Sequence, residues 1–128
     1  MSTGSPRPLV LLVEHDALAA RGLARMLSDD GFQVERVSDG AAAIARLAKS
    51  PSPDALITDL FIPYADGLTV LRFARTRNPR LVAVVVTSHS ELLDRGPDSI
   101  NPAPTILGKP LDYEVLAQAL RELLPRAA

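Results

Sequence analysis

At 128 residues the chain has the length of one compact domain, so a separate output module is not expected. Apolar residues make up 47% and charged residues 23%, ordinary globular proportions that support a core without disulfide or metal staples. The absence of cysteine removes thiol catalysis, cysteine-based zinc sites and disulfide scaffolds, and a net charge of -1 gives no general pull toward nucleic acid or an anionic membrane.

Residues 1–7 read as a loose leader, without the charged start and apolar stretch of a secretory signal. The longest apolar runs, Leu9 to Val13 and Leu81 to Val86, are far shorter than the ~20 residues of a membrane span, so a cytoplasmic protein with no membrane contact is expected. Leu9-Val-Leu-Leu-Val13 is a continuous apolar run, the mark of a strand buried on both faces, and it ends at Glu14-His15-Asp16. Asp16 is placed to cap a helix carrying Ala20, Leu23, Ala24 and Leu27, which stops at Asp29-Asp30-Gly31. Phe32 to Val37 predicts a more polar edge strand, followed by an alanine-rich helix from Ser38-Asp39-Gly40 to Ser50-Pro51-Ser52-Pro53.

Ala55 to Asp59 predicts a third strand, and a loop through Pro63 and Asp66-Gly67 leads to a helix from Leu68 to about Arg77, stopped by Asn78-Pro79. Leu81 to Val86 is strongly β-branched and predicts a fully buried strand ending at Thr87-Ser88. Ser90 to Arg95 allows a turn or two of helix, cut short by Gly96, Pro97, Pro102 and Pro104. Thr105 to Leu107 is a brief fifth strand before Gly108-Lys109-Pro110, and Asp112 to Leu124 is an amphipathic helix with Val115, Leu116, Ala119, Leu120 and Leu123 on one face.

Strands alternating with helices require an α/β doubly wound parallel sheet, because right-handed crossovers return helices to its two faces. Ligands of such sheets bind beyond the carboxyl ends of the strands, where the winding reverses. In the order 2-1-3-4-5 the strand ends bring Glu14, His15 and Asp59 together, with Thr87 and Lys109 alongside. Aspartate is a nucleophile in phosphoryl transfer and forms an acyl phosphate, while Lys109 and Thr87 are suitable donors to phosphoryl oxygens.

Glu14 after an apolar strand, Asp59 followed by Pro63 and Asp66-Gly67, then Thr87-Ser88 and Lys109-Pro110, together resemble the receiver domain of bacterial two-component response regulators. The resemblance spans residues 8–128 and implies a flavodoxin-like receiver fold. It implies that Asp59 accepts a phosphoryl group from a histidine kinase or phosphotransfer protein and that the chain signals to a downstream protein. It also implies Mg²⁺ held by Glu14, Asp59 and the backbone carbonyl of Phe61, Lys109 paired with the acceptor, Thr87 moving onto the phosphoryl oxygen, and a cis peptide at Lys109-Pro110.

Three features depart from the family pattern. His15 stands where a second acid normally binds the metal, which weakens or removes Mg²⁺ because the ion prefers hard oxygen ligands. His15 can be a ligand for a softer metal, a charge partner for Asp59 or an exposed loop residue, while Asp16 is better used as a helix cap. Ile106 replaces a usual aromatic, and the prolines between Gly96 and Pro104 give an atypical fourth helix.

Two functions are therefore carried forward. One is a stand-alone receiver in a phosphorelay, acting on no substrate beyond its own phosphorylation and dephosphorylation. The other is a pseudo-receiver that binds proteins without phosphate. A nucleotide-binding enzyme is disfavoured because the first strand-to-helix turn has no glycine, and DNA binding because no residues remain for a helix-turn-helix. The resemblance implies a monomer or weak homodimer. The arginines at 72, 75, 77 and 80 form either a solvated helix face or a dock for an acidic partner.

Overall fold

The computed structural model describes residues 7–88 and 100–124. In chain order the elements are β1 (Leu9–Val13), α1 (Ala17–Asp29), β2 (Gln33–Val37), α2 (Gly40–Leu47), β3 (Ala55–Asp59), α3 (Gly67–Arg77), β4 (Val82–Thr87), β5 (Thr105–Gly108) and α4 (Tyr113–Leu123). The five strands form one parallel sheet in the order β2-β1-β3-β4-β5. The short helix expected over Ser90 to Arg95, with Gly96 and Pro97, lies outside the described residues, as does most of the leader.

Alternation along the central strands divides the apolar residues between two cores, as the pleat requires. Val10 and Leu12 of β1, Ala55 and Ile57 of β3, and Val84 and Val86 of β4 pack with Ala20 and Leu27 of α1 and with Leu116 and Leu120 of α4. On the opposite face, Leu11, Val13, Leu56, Ala83 and Val85 pack with Ala43 and Leu47 of α2 and with Val70, Leu71 and Ala74 of α3. Fully burying each Leu or Val contributes about 1.5–3 kcal/mol, which is why β1, β3 and β4 tolerate no polar side chain until they reach their carboxyl ends.

Strand ends differ slightly from the expected bounds. Phe32 and Leu81 are buried but precede their strands, and Thr87 and Gly108 are the last paired residues of theirs. Asp16, Asp39, Asp66 and Asp112 all cap helices, each carboxylate accepting from backbone N–H groups in the first turn. Among the described residues no helix is long and apolar enough to cross a membrane.

Two of the arginines around α3 are bonded to backbone within the fold. Arg75 donates to the carbonyls of Leu81 at 2.9 Å and Pro102 at 2.8 Å, and Arg77 donates to that of Ala48 at 3.1 Å. Ordinary tertiary packing explains these two without a partner.

Candidate functional site

Sheet register builds the site. Val13 lies opposite Thr58, so Glu14 and Asp59 leave the sheet side by side from β1 and β3. Asp59 lies opposite Val86, and Thr87, the next residue of β4, lies opposite Gly108 of β5, which delivers Lys109. Four residues distant in sequence, Glu14, Asp59, Thr87 and Lys109, thereby share one mouth.

Asp59 is half-buried, with both carboxylate oxygens engaged. Oδ2 receives the Lys109 ammonium in an ion pair, and Oδ1 accepts the Phe61 backbone N–H at 3.3 Å. Thr58, buried beside it, donates its hydroxyl to the Asp59 carbonyl at 2.9 Å. The Lys109-Pro110 peptide is cis, as the resemblance implies. Thr87 is buried at the end of β4.

Glu14 is half-buried, its backbone N–H bonded to the Val37 carbonyl at 3.1 Å and its Oε1 accepting the Asp16 N–H at 3.2 Å. Asp16 is committed to α1, accepting from Leu18 at 2.9 Å and Ala19 at 3.2 Å, and so does not supply the missing acid. His15 is exposed. Among the described residues no group of three or more His, Cys, Asp or Glu is placed to hold a metal ion. The Glu14 and Asp59 carboxylates, with the Phe61 carbonyl that the resemblance adds, are all hard oxygens, and Mg²⁺ is commonly held by one or two carboxylates together with phosphate oxygens and water. The donor set fits that ion with fewer protein charges than three acids would give.

The loop after β3 is clamped by glycine at two points that sequence reading undervalued. A Cβ on Gly67 would lie 2.2 Å from the Asp59 carbonyl oxygen, and one on Gly40 would lie 2.4 Å from that of Ala65. Hydrogen bonds from Gly67 to Leu60 and from Gly40 to Pro63, both 2.9 Å, close the same contacts. Between the clamps Tyr64 takes a left-handed backbone, φ 70°, with its ring in solvent, and Phe61 is also exposed. The Asp39-Gly40 and Asp66-Gly67 pairs were visible as helix starts, but the close approach depends on tertiary packing.

Beside Asp59 a groove of about 440 Å³ runs between α1 and the segment from Lys109 to Tyr113. Glu14, Asp16, Asp59 and Lys109 stand at its charged end, and Leu18, Gly22, Leu23, Met26 and Leu111 line its apolar length. Its far wall is tied by Tyr113, whose hydroxyl donates toward Asp30 Oδ2 at 2.6 Å and lies 3.0 Å from the Met26 carbonyl. Burial, reinforced by the Asp30 carboxylate, pushes the Tyr113 hydroxyl above its usual pKa. On β5, Ile106 is partly exposed and presents no ring to the site.

Residues 10–121 match the family model of the response regulator receiver domain. Response regulator MprA of Mycobacterium avium (strain 104) is 35% identical over 117 residues, covering 91% of this chain and 51% of that protein. The chain thus spans about half the length of the curated relatives it matches. A response regulator receiver protein from Sinorhizobium medicae WSM419 has a TM-score of 0.79 at 30% identity, covering 91% of this chain and 94% of that one. A sensor protein from Polaromonas sp. JS666 also has a TM-score of 0.79, at 32% identity, covering 92% of this chain and 96% of that one. With Glu14, Asp59, Thr87 and Lys109 at the strand ends and the family match across nearly the whole sheet, this chain belongs to the response regulator receiver domain family.

Proposed function

We propose that residues 8–128 act as a phosphorylation switch, in which Asp59 accepts a phosphoryl group from the phosphohistidine of a histidine kinase or phosphotransfer protein and a second protein reads the result. The observation that carries this reading is the Asp59–Lys109 ion pair, set in a mouth with Glu14 and Thr87. In the transfer an Asp59 carboxylate oxygen forms a bond to phosphorus as the phosphorus–nitrogen bond of the donor breaks. The electron pair of that bond returns to the imidazole, leaving an acyl phosphate on Asp59.

Charge decides the barrier, because the protein's contribution to phosphoryl transfer is mainly position and electrostatics. Lys109 meets the developing negative charge, and Thr87 places a hydroxyl on the neighbouring strand. Mg²⁺, when bound by Glu14, Asp59 and the Phe61 carbonyl, supplies the second positive charge against the phosphoryl oxygens. The chain acts on itself and has no separate substrate.

The test is incubation with phosphoramidate and Mg²⁺, read by intact mass. One phosphoryl group on wild type and none on Asp59→Asn is the expected result. Unmodified wild type overturns it and favours the second reading, a protein-binding module independent of phosphate, which the exposed His15 in an acid's place supports. That module would bind its partner equally well as wild type and as Asp59→Asn.

A further inference from the structure

Among the described residues only two polar side chains are buried, Thr58 and Thr87, each 1% exposed, and they stand at the carboxyl ends of β3 and β4. Thr87 already has a place in the proposed switch. Thr58 has none, although it immediately precedes Asp59. Packing does not call for its hydroxyl. Thr58 follows Ala55, Leu56 and Ile57 along β3 and lies in register between Val13 of β1 and Val85 of β4, so a valine, with the same branched shape, would complete an apolar row. A buried hydroxyl costs free energy unless it is bonded, and this one donates to the main-chain carbonyl of Asp59 at 2.9 Å.

That bond begins a short chain of constraints that ends at the carboxylate. Each peptide unit is planar, so holding its carbonyl also fixes the direction of its N–H. The unit joining Asp59 to Leu60 is held at its oxygen by the Thr58 hydroxyl and confined there by Gly67, on which a Cβ would lie 2.2 Å away. The unit joining Leu60 to Phe61 is held at its oxygen by the Gly67 N–H at 2.9 Å. The N–H of this second unit is the one that donates to Asp59 Oδ1, at 3.3 Å. Such bonds usually span ~2.7–3.2 Å, so a small turn of either unit is enough to lose it.

We propose that Thr58 is a positioning residue for phosphoryl transfer. Its hydroxyl fixes the Asp59 main chain, and through it the bond from Phe61 that holds Oδ1 while Oδ2 stays with Lys109. Thr58 touches no reacting atom. The proposal rests on the reading of Asp59 as acceptor and adds which neighbour keeps the carboxylate in its reactive orientation. A nucleophile turned out of line loses rate steeply, about 100-fold for a misplacement of ~1 Å.

The experiment compares wild type with two variants. Thr58→Val removes the hydroxyl and keeps the branched shape, whereas Thr58→Ser keeps the hydroxyl and removes a methyl group, so packing and positioning rank the two in opposite orders. Labelling by phosphoramidate and Mg²⁺ is followed by intact mass, and thermal melts and the Phe61 amide proton resonance are recorded on the same proteins before labelling. Thr58→Val is expected to melt no lower than Thr58→Ser, to label about tenfold more slowly than wild type or worse, and to show the Phe61 amide proton shifted upfield as its bond to Oδ1 weakens. Thr58→Ser is expected to keep the wild-type amide shift and to label within about twofold of wild type. Labelling of Thr58→Val at the wild-type rate overturns the proposal, as does an unchanged Phe61 amide in that variant or a Thr58→Ser rate as low as that of Thr58→Val. Thr58→Val melting below Thr58→Ser overturns it too, by showing that the hydroxyl is kept for the fold. Wild type that phosphoramidate leaves unmodified sinks the acceptor reading itself, and the positioning role with it.

Discussion

Lys109 and Asp59 meet across an intervening strand: the ammonium comes from the end of β5, the carboxylate from the end of β3, and β4 lies between them. The lysine therefore spans the end of β4, whose last residue is the buried Thr87, to pair with the acceptor.

Removing that cation should slow the chemistry more than it loosens the fold. The Lys109 side chain is 39% exposed, so solvent screens the pair, and Lys109→Ala is expected to change stability by less than about 1 kcal/mol. Labelling of Asp59 by phosphoramidate is expected to slow about 100- to 1,000-fold, since one preorganised donor facing developing charge is worth about that much. Urea melts and labelling time courses on one preparation check both halves.

His15→Asp restores a third acid where the imidazole now stands in solvent. An added carboxylate suits a hard cation, and Mg²⁺ affinity is expected to rise about tenfold or more. Calorimetric titration with Mg²⁺, without any phosphodonor, measures this. Equal affinity in the two proteins would show that residue 15 does not reach the ion.

Gly67→Ala forces a methyl group against backbone, 2.2 Å from the Asp59 carbonyl oxygen, where no flexible side chain can yield. The expected cost is about 1–3 kcal/mol, the range for overpacking, with slower labelling because the acceptor's own peptide must move. Gly108→Ala is the control, since a Cβ there meets nothing within 4 Å.

Tyr113→Phe deletes the hydroxyl that ties α4 to the end of α1, at a cost of about 0.5–1.5 kcal/mol. The pH dependence has a definite sign. Burial, with help from Asp30, raises the folded-state pKa above the unfolded value of about 10, so the stabilising contribution is complete below that pH and is lost as pH rises beyond it. Wild type should lose stability above pH 10 more steeply than Tyr113→Phe, as denaturant melts across that range would record.

Much of this was readable in advance. The apolar runs and aspartate caps marked the strands and helices, and the polar character of β2 placed it at the sheet edge. Strand order then brought Glu14, Asp59, Thr87 and Lys109 together, because residues that end parallel strands must share one side of the sheet. What escaped were features defined by contact between distant segments. No local pattern distinguishes Gly40, pressed on Ala65, from a glycine that merely starts a helix. The bond from Tyr113 to Asp30 spans 83 residues, and neither residue carries a signal of the other. The arginines of α3 looked like a surface cluster because the carbonyls that hold Arg75 and Arg77 come from other elements.

The double clamp on the loop after β3 separates two kinds of sequence freedom. Positions 40 and 67 hold main chain against main chain, so they fix where the acceptor sits, while Phe61 and Tyr64 between them point their rings outward. The face presented to a visiting protein can therefore diverge residue by residue without shifting the carboxylate that reacts. Recognition and chemistry can drift apart in evolution although only a few residues separate them.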